Sequence, residues 1–179
     1  MSLVLARAGS QGASIQINRP KFKDLWSAYP VNQDADTVYH LVGGDAENLH
    51  KSNPDAYANA CALRLSRAFN YGGVIITAGV QAYKVKGGDG KLYIIRVLEM
   101  ISFVTANFGS PDDSVSPQGS DVTSRFSGRQ GILTFEISGW SDARGHVTLW
   151  DGTNCGDHCY FVSPRKGVTI NKISYWELK

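Results

Sequence analysis

Cys61 lies at the start of a stretch, Asn59-Ala60-Cys61-Ala62-Leu63-Arg64-Leu65-Ser66-Arg67-Ala68-Phe69-Asn70-Tyr71-Gly72-Gly73, whose spacing predicts a helix. In the first turn of a helix a cysteine meets unpaired backbone N–H groups and the positive end of the macrodipole, which favour the thiolate. A thiolate is a nucleophile, and the same N–H groups stabilise an oxyanion. The competing reading is a buried cysteine packed on Leu65, the commoner fate of a free thiol. Far downstream, Gly145-His146 opens the alternating run His146-Val147-Thr148-Leu149-Trp150. An imidazole at the first position of a strand can take a proton from a helix-borne thiol and return it to a leaving group. A third group must orient the ring; Asp157 and Asp151 are candidates, with His158 a weaker one.

Cys155-Gly156-Asp157-His158-Cys159 supports two readings. Two cysteines and a histidine suggest zinc, but the spacing fits no standard finger and a fourth ligand is lacking. A disulfide needs only Cys155 and Cys159, leaves Cys61 as the odd thiol, and would hold Asp157 still. The disulfide is favoured, and neither a metal nor a cofactor is expected.

The elements that must position these groups follow from periodicity. Arg19-Pro20 opens a helix with Phe22, Leu25, Trp26 and Tyr29 as its apolar stripe, stopped by Pro30. Asp34 or Asp36 caps a second, with Val38, Leu41 and Val42 inward and Gly43-Gly44 at its end. In the cysteine helix, capped by Asn59 or by Ser52-Asn53, Cys61, Leu65, Ala68 and Phe69 share one face, while Arg64 and Arg67 turn to water. Tyr83–Lys86 and Leu92–Val97 pair across Gly87-Gly88-Asp89-Gly90. Val97, Met100, Ile101, Val104 and Phe108 recur at helical spacing. Residues 109–131 form a long Ser/Gly/Asp/Pro-rich loop with a short helical turn near Val122–Phe126. Gly131–Ile137, His146–Trp150, Tyr160–Val162 and Val168–Trp176 read as strands. Helices first and a mostly antiparallel sheet after them predict an α+β fold, residues 1–179 forming one domain behind a loose lead-in, 1–18.

Composition narrows the function classes. The chain has 179 residues, 42% of them hydrophobic and 19% charged, so it folds around a real core. A net charge of +2 with no Lys/Arg run argues against a nucleic-acid partner. No stretch approaches a membrane span, and the apolar run at Met1–Arg7 is too short for a signal peptide.

Phe22-x-x-Leu25-Trp26-x-x-Tyr29-Pro30, Val42-Gly43-Gly44, Asn59-x-Cys61-Ala62-x-Arg64-x-Ser66, Gly139-Trp140-x-x-Ala143-x-Gly145-His146-Val147-Thr148-Leu149-Trp150 and Cys155-x-Asp157-x-Cys159-Tyr160-Phe161 form a combined pattern. It resembles the fourth family of type VI secretion amidase effectors, from about Arg19 to the end. The resemblance implies a papain-like, NlpC-type fold, its N-terminal helices carrying the nucleophile against a sheet carrying the histidine. It implies a toxin that cleaves the γ-D-glutamyl–meso-diaminopimelate bond of peptidoglycan stems, with Cys61, His146 and Asp157 as the triad. It further implies type VI delivery into the periplasm of a rival cell, where a disulfide persists, and a cognate, dimeric immunity protein. Trp140, just before His146, is expected to face the substrate, with packing as its competing role. Two other functions are weighed: an acyltransferase of the same fold, and a non-catalytic wall-binding module with a structural disulfide.

Overall fold

In the computed structural model residues 2–8, 11–140 and 144–179 are described; Ala143 of the motif before His146 lies outside them. The N-terminal segment is not the loose lead-in expected. Its two halves, β1 (Ser2–Ala8) and β2 (Gln11–Ile17), pair antiparallel from Ser2↔Ile17 to Ala8↔Gln11. Two runs of alternating, partly β-branched residues on either side of Gly9-Ser10 account for the pairing.

Helix α1 (Phe22–Ala28) buries Phe22 and Leu25 and ends before Pro30. Helix α2 (Ala35–Val42) begins where the Asp34 carboxylate accepts the Thr37 N–H at 2.7 Å. Val38 and Val42 point inward as expected, but Leu41 is exposed and Tyr39 is buried in its place. The reason is a helix absent from the sequence reading, α3 (Gly44–Ser52), whose His50 ring stacks on Tyr39 with centroids 4.5 Å apart. Ser52 and Asn53 therefore finish α3 and do not cap the cysteine helix, α4 (Cys61–Tyr71).

Beyond α4, β3 (Lys84–Lys86) and β4 (Leu92–Ile94) form the expected hairpin, and α5 (Val97–Phe108) closes at Gly109. The long loop carries β5 (Asp113–Val115) and a short 3-10 turn, Thr123–Arg125. Strands β6 (Gly131–Ser138), β7 (Gly145–Trp150) and β8 (Thr169–Glu177) complete an antiparallel sheet in the order β5-β8-β6-β7. Tyr160–Val162 is not a strand. Phe161 instead inserts its ring among Phe126, Phe135 and Trp150.

Alternation along the strands separates two cores. Ile132, Val147, Leu149 and Trp176 meet the apolar stripes of α1, α4 and α5, including Leu65, Ala68 and Phe69. Leu133, Phe135, Ile137 and Trp150 face the opposite side, covered by Phe126 and Phe161. Helix α4 is thus fixed against the sheet, and polar stitches fix it to β4. The buried Ser66 hydroxyl donates to the Ile94 carbonyl at 2.9 Å and accepts the Ile94 N–H at 2.9 Å. Asn70 donates to the Leu92 carbonyl at 2.8 Å. Ser66→Ala would strand both Ile94 groups away from water, a loss of about 1–3 kcal/mol. Thermal denaturation should show a clearly lower Tm for Ser66→Ala; a parental Tm would contradict this account of how α4 is held.

Candidate active site

Cys61 occupies the first turn of α4, as its spacing predicted, and only 2% of it is exposed. The position before it, Ala60, offers no side-chain cap. The cap comes from one residue further out: Asn59 Oδ1 accepts the Cys61 N–H at 3.0 Å. Cys61 packs in the core, as the competing reading expected, and also lines a surface cavity.

His146 stands near the start of β7, opposite Phe135 of β6. A Cβ at Gly145 would lie 2.5 Å from the Phe135 carbonyl oxygen, so only glycine lets the two strands close at this edge. The ring's Nε2 lies 3.1 Å from Asp157 Oδ1, and the Cys61 thiol acts electrostatically on the same ring. The structure therefore brings Cys61, His146 and Asp157 together. Asp151 is elsewhere, its Oδ1 accepting the Thr153 and Asn154 N–H groups of its own turn. His158 is exposed and stacks on Tyr160.

What holds Asp157 is the loop around it. Cys155 and Cys159 are disulfide-bonded, with Cα atoms 5.5 Å apart. Inside that ring, the Gly156 N–H donates to the Leu149 carbonyl and its carbonyl accepts the Asn32 N–H, each at 2.8 Å. A Cβ at Gly156 would fall 2.6 Å from the Tyr29 ring. Tyr29 is buried, and its hydroxyl lies 3.3 Å from Thr148 Oγ1, beside the Asp157 carboxylate. Among the described residues no three His, Cys, Asp or Glu side chains converge as a metal site.

The electrostatics follow from burial opposed by charge. Burial favours the neutral imidazole, but the Asp157 carboxylate and the Cys61 thiol outweigh it, and the His146 pKa is raised well above its ordinary value. Burial likewise opposes ionisation of Asp157, yet His146, then Thr148 and then Arg64 hold its pKa below the usual carboxylate range. Arg64 is a correction: the sequence reading turned it to water, and the structure buries it at 7% exposure, 3.6 Å from Asp157 Oδ2. Its position three residues after Cys61, on the same side of the helix, was the available signal.

Two cavities, of about 820 and 790 Å³, flank this centre. The larger is lined by His146 and Asp157, the smaller by Cys61, and Asn59 and Trp140 line both. Trp140 also packs edge-on against Tyr160, centroids 4.9 Å apart.

Residues 57–176 match the family described as type VI secretion system amidase effector protein 4. The chain belongs to that family. Similar solved structures include the effector Tae4 from Enterobacter cloacae, 35% identical with a TM-score of 0.79 over 92% of this chain and 100% of that one. Tae4 from Salmonella typhimurium in complex with the immunity protein Tai4 from Enterobacter cloacae is 34% identical, with a TM-score of 0.79 over 90% of this chain and 100% of that one. The Tae4–Tai4 complex from Enterobacter cloacae gives 35%, 0.79, 90% and 100%. Comparison with curated protein sequences finds no match. The fold is papain-like and NlpC-type, and the chain is a peptidoglycan amidase, a hydrolase of the antibacterial type VI effector class.

Two outcomes follow from this geometry. Gly156→Ala must displace either the Tyr29 ring or the loop carrying Asp157, so turnover should fall at least about tenfold. A kinetic assay at saturating substrate checks this, and parental turnover would refute it. Activity that needs the imidazolium is lost as pH rises through the raised pKa of His146, so the alkaline limb of kcat/KM should lie above pH ~6.5. Asp157→Asn removes the carboxylate that raises it and should move that limb down; a limb left in place would contradict the pairing.

Proposed function

We propose that this amidase hydrolyses the γ-D-glutamyl–meso-diaminopimelate bond of peptidoglycan stems by a Cys61–His146–Asp157 mechanism. The observation that carries the reading is a single imidazole hydrogen-bonded to a buried carboxylate and influenced by a thiol at a helix start, beside open cavities. The Cys61 thiolate attacks the γ-glutamyl carbonyl carbon. As the C–S bond forms, the developing oxyanion takes the Cys61 N–H over from Asn59 Oδ1. His146, oriented by Asp157, protonates the diaminopimelate nitrogen as the C–N bond breaks. The amine leaves, His146 deprotonates a water, and that water's attack on the thioester frees the glutamate carboxylate and restores the thiolate. Because His146 lines the larger cavity, the departing diaminopimelate belongs there and the γ-glutamyl side in the smaller one. Trp140, between the two, is the wall against which the stem rests.

The setting we propose is the periplasm of a rival cell, reached through the type VI apparatus. The Cys155–Cys159 bridge supports it, since such a bond persists in an oxidising compartment. The partner is a cognate immunity protein acting as a dimer; the relatives solved with Tai4 support an immunity partner but not its dimeric state.

Peptidoglycan digested with the protein should release fragments whose masses place the cut between D-glutamate and diaminopimelate, and Cys61→Ala should release none while melting as the parent does. Fragments cut at another bond would overturn the specificity, and cleavage by Cys61→Ala would overturn the nucleophile.

A further inference from the structure

We infer that Arg64 is a positioning residue of this centre, its guanidinium neutralising and aiming the second carboxylate oxygen of Asp157 so that the first stays on His146. The inference rests on the Cys61–His146–Asp157 reading.

Its location breaks a local rule. A cation near the N-terminal end of a helix opposes the macrodipole, and burying a guanidinium costs more. Arg64 does both, close behind Cys61 on a helix with no acidic residue in its first turn. Such a conflict persists only where another interaction requires it.

The interaction is visible in the polar accounting. Arg64 Nη2 donates to the Gln33 carbonyl, which anchors the side chain to the segment before α2. Nη1 points at Asp157 Oδ2 from 3.6 Å, a distance that makes an ion pair but not yet a hydrogen bond. Arg64 Nε and Asp157 Oδ2 are both buried without a hydrogen-bond partner. The neighbouring Thr148 hydroxyl, shared with Tyr29 and the Leu149 carbonyl, also favours the Asp157 carboxylate but brings no charge. Arg64 is the cation within reach of that oxygen, and catalytic hydrogen bonds that are long in a free enzyme tighten when substrate fills the cleft.

Charge counting gives the same assignment. Thiolate, imidazolium and carboxylate sum to one negative charge in a buried site; Arg64 brings the sum to zero. The other groups facing this set are Tyr29 after α1, Asp34 and Tyr39 of the α2 region, His158 in the disulfide loop, and Arg165 on the wall of the larger cavity. Burial raises the pKa of both tyrosines, which stay neutral, and Asp34 is exposed on the cleft rim. Arg165 is exposed to water, so Arg64 is the buried cation of the set.

Removing a cation favours the protonated form of every titrating group near it. In Arg64→Gln both limbs of the kcat/KM profile should therefore move to higher pH, by about one unit, while kcat at neutral pH falls about tenfold or more with little change in KM. Arg64→Lys keeps the charge and should hold both limbs at their parental positions with reduced kcat. A role in packing alone would lower the amplitude and leave the limbs in place. Limbs of Arg64→Gln that coincide with the parent's overturn the inference. If Arg64→Gln does not fold, a folded Arg64→Lys protein with displaced limbs overturns it equally. Cleavage by Cys61→Ala would instead bring down the triad reading, so the two failures are told apart.

Discussion

The contact on which the rest of the site depends is the buried pair between His146 and Asp157. Two charges taken out of water are favourable only when their geometry is held and their remaining polar atoms are answered. That requirement explains why so many unrelated features converge on one short loop. A disulfide closes it, Gly156 ties it by backbone bonds to β7 and to Asn32, and the Tyr29 ring leaves no room for a side chain at Gly156. The chain-entropy gain of so small a ring is only about 2 kcal/mol, so its main consequence is local. It decides where one carboxylate stands.

The second constraint is the placement of α4. Its first turn must reach His146 on the far edge of the sheet, so the helix is held along its length by apolar packing on Val147 and Leu149 and by Ser66 and Asn70 bonding to β4. Asn59 finishes the arrangement at the helix start. By accepting the Cys61 N–H it keeps the backbone donor at the thiol satisfied in the free protein.

Much of this was legible in the sequence because the helices carry period-3.6 stripes bounded by Asp34, Pro30, Gly72 and Gly109, and β6 and β7 alternate cleanly. Helix α3 was not, since its polar stretch follows two glycines and shows no stripe; it is a helix because His50 and Ala46 pack on α2 and its neighbours. The run Tyr160–Val162 has the composition of a strand, but ring packing of Phe161 decided its conformation. Tertiary context overrode local preference in both cases. At the site, the pattern brought out Cys61, His146 and Asp157. Arg64 showed only in its spacing from Cys61, because charge on a helix surface reads as solvated until a buried counter-charge from a distant loop is known.

The central claim is that the folded protein holds His146 as an imidazolium against Asp157. The most direct measurement is a nitrogen NMR titration of the His146 ring in the intact, oxidised protein. The account predicts a doubly protonated ring at pH 7, titrating clearly above the ordinary histidine value of about 6.5. A neutral ring at pH 7, titrating at or below that value, would contradict it.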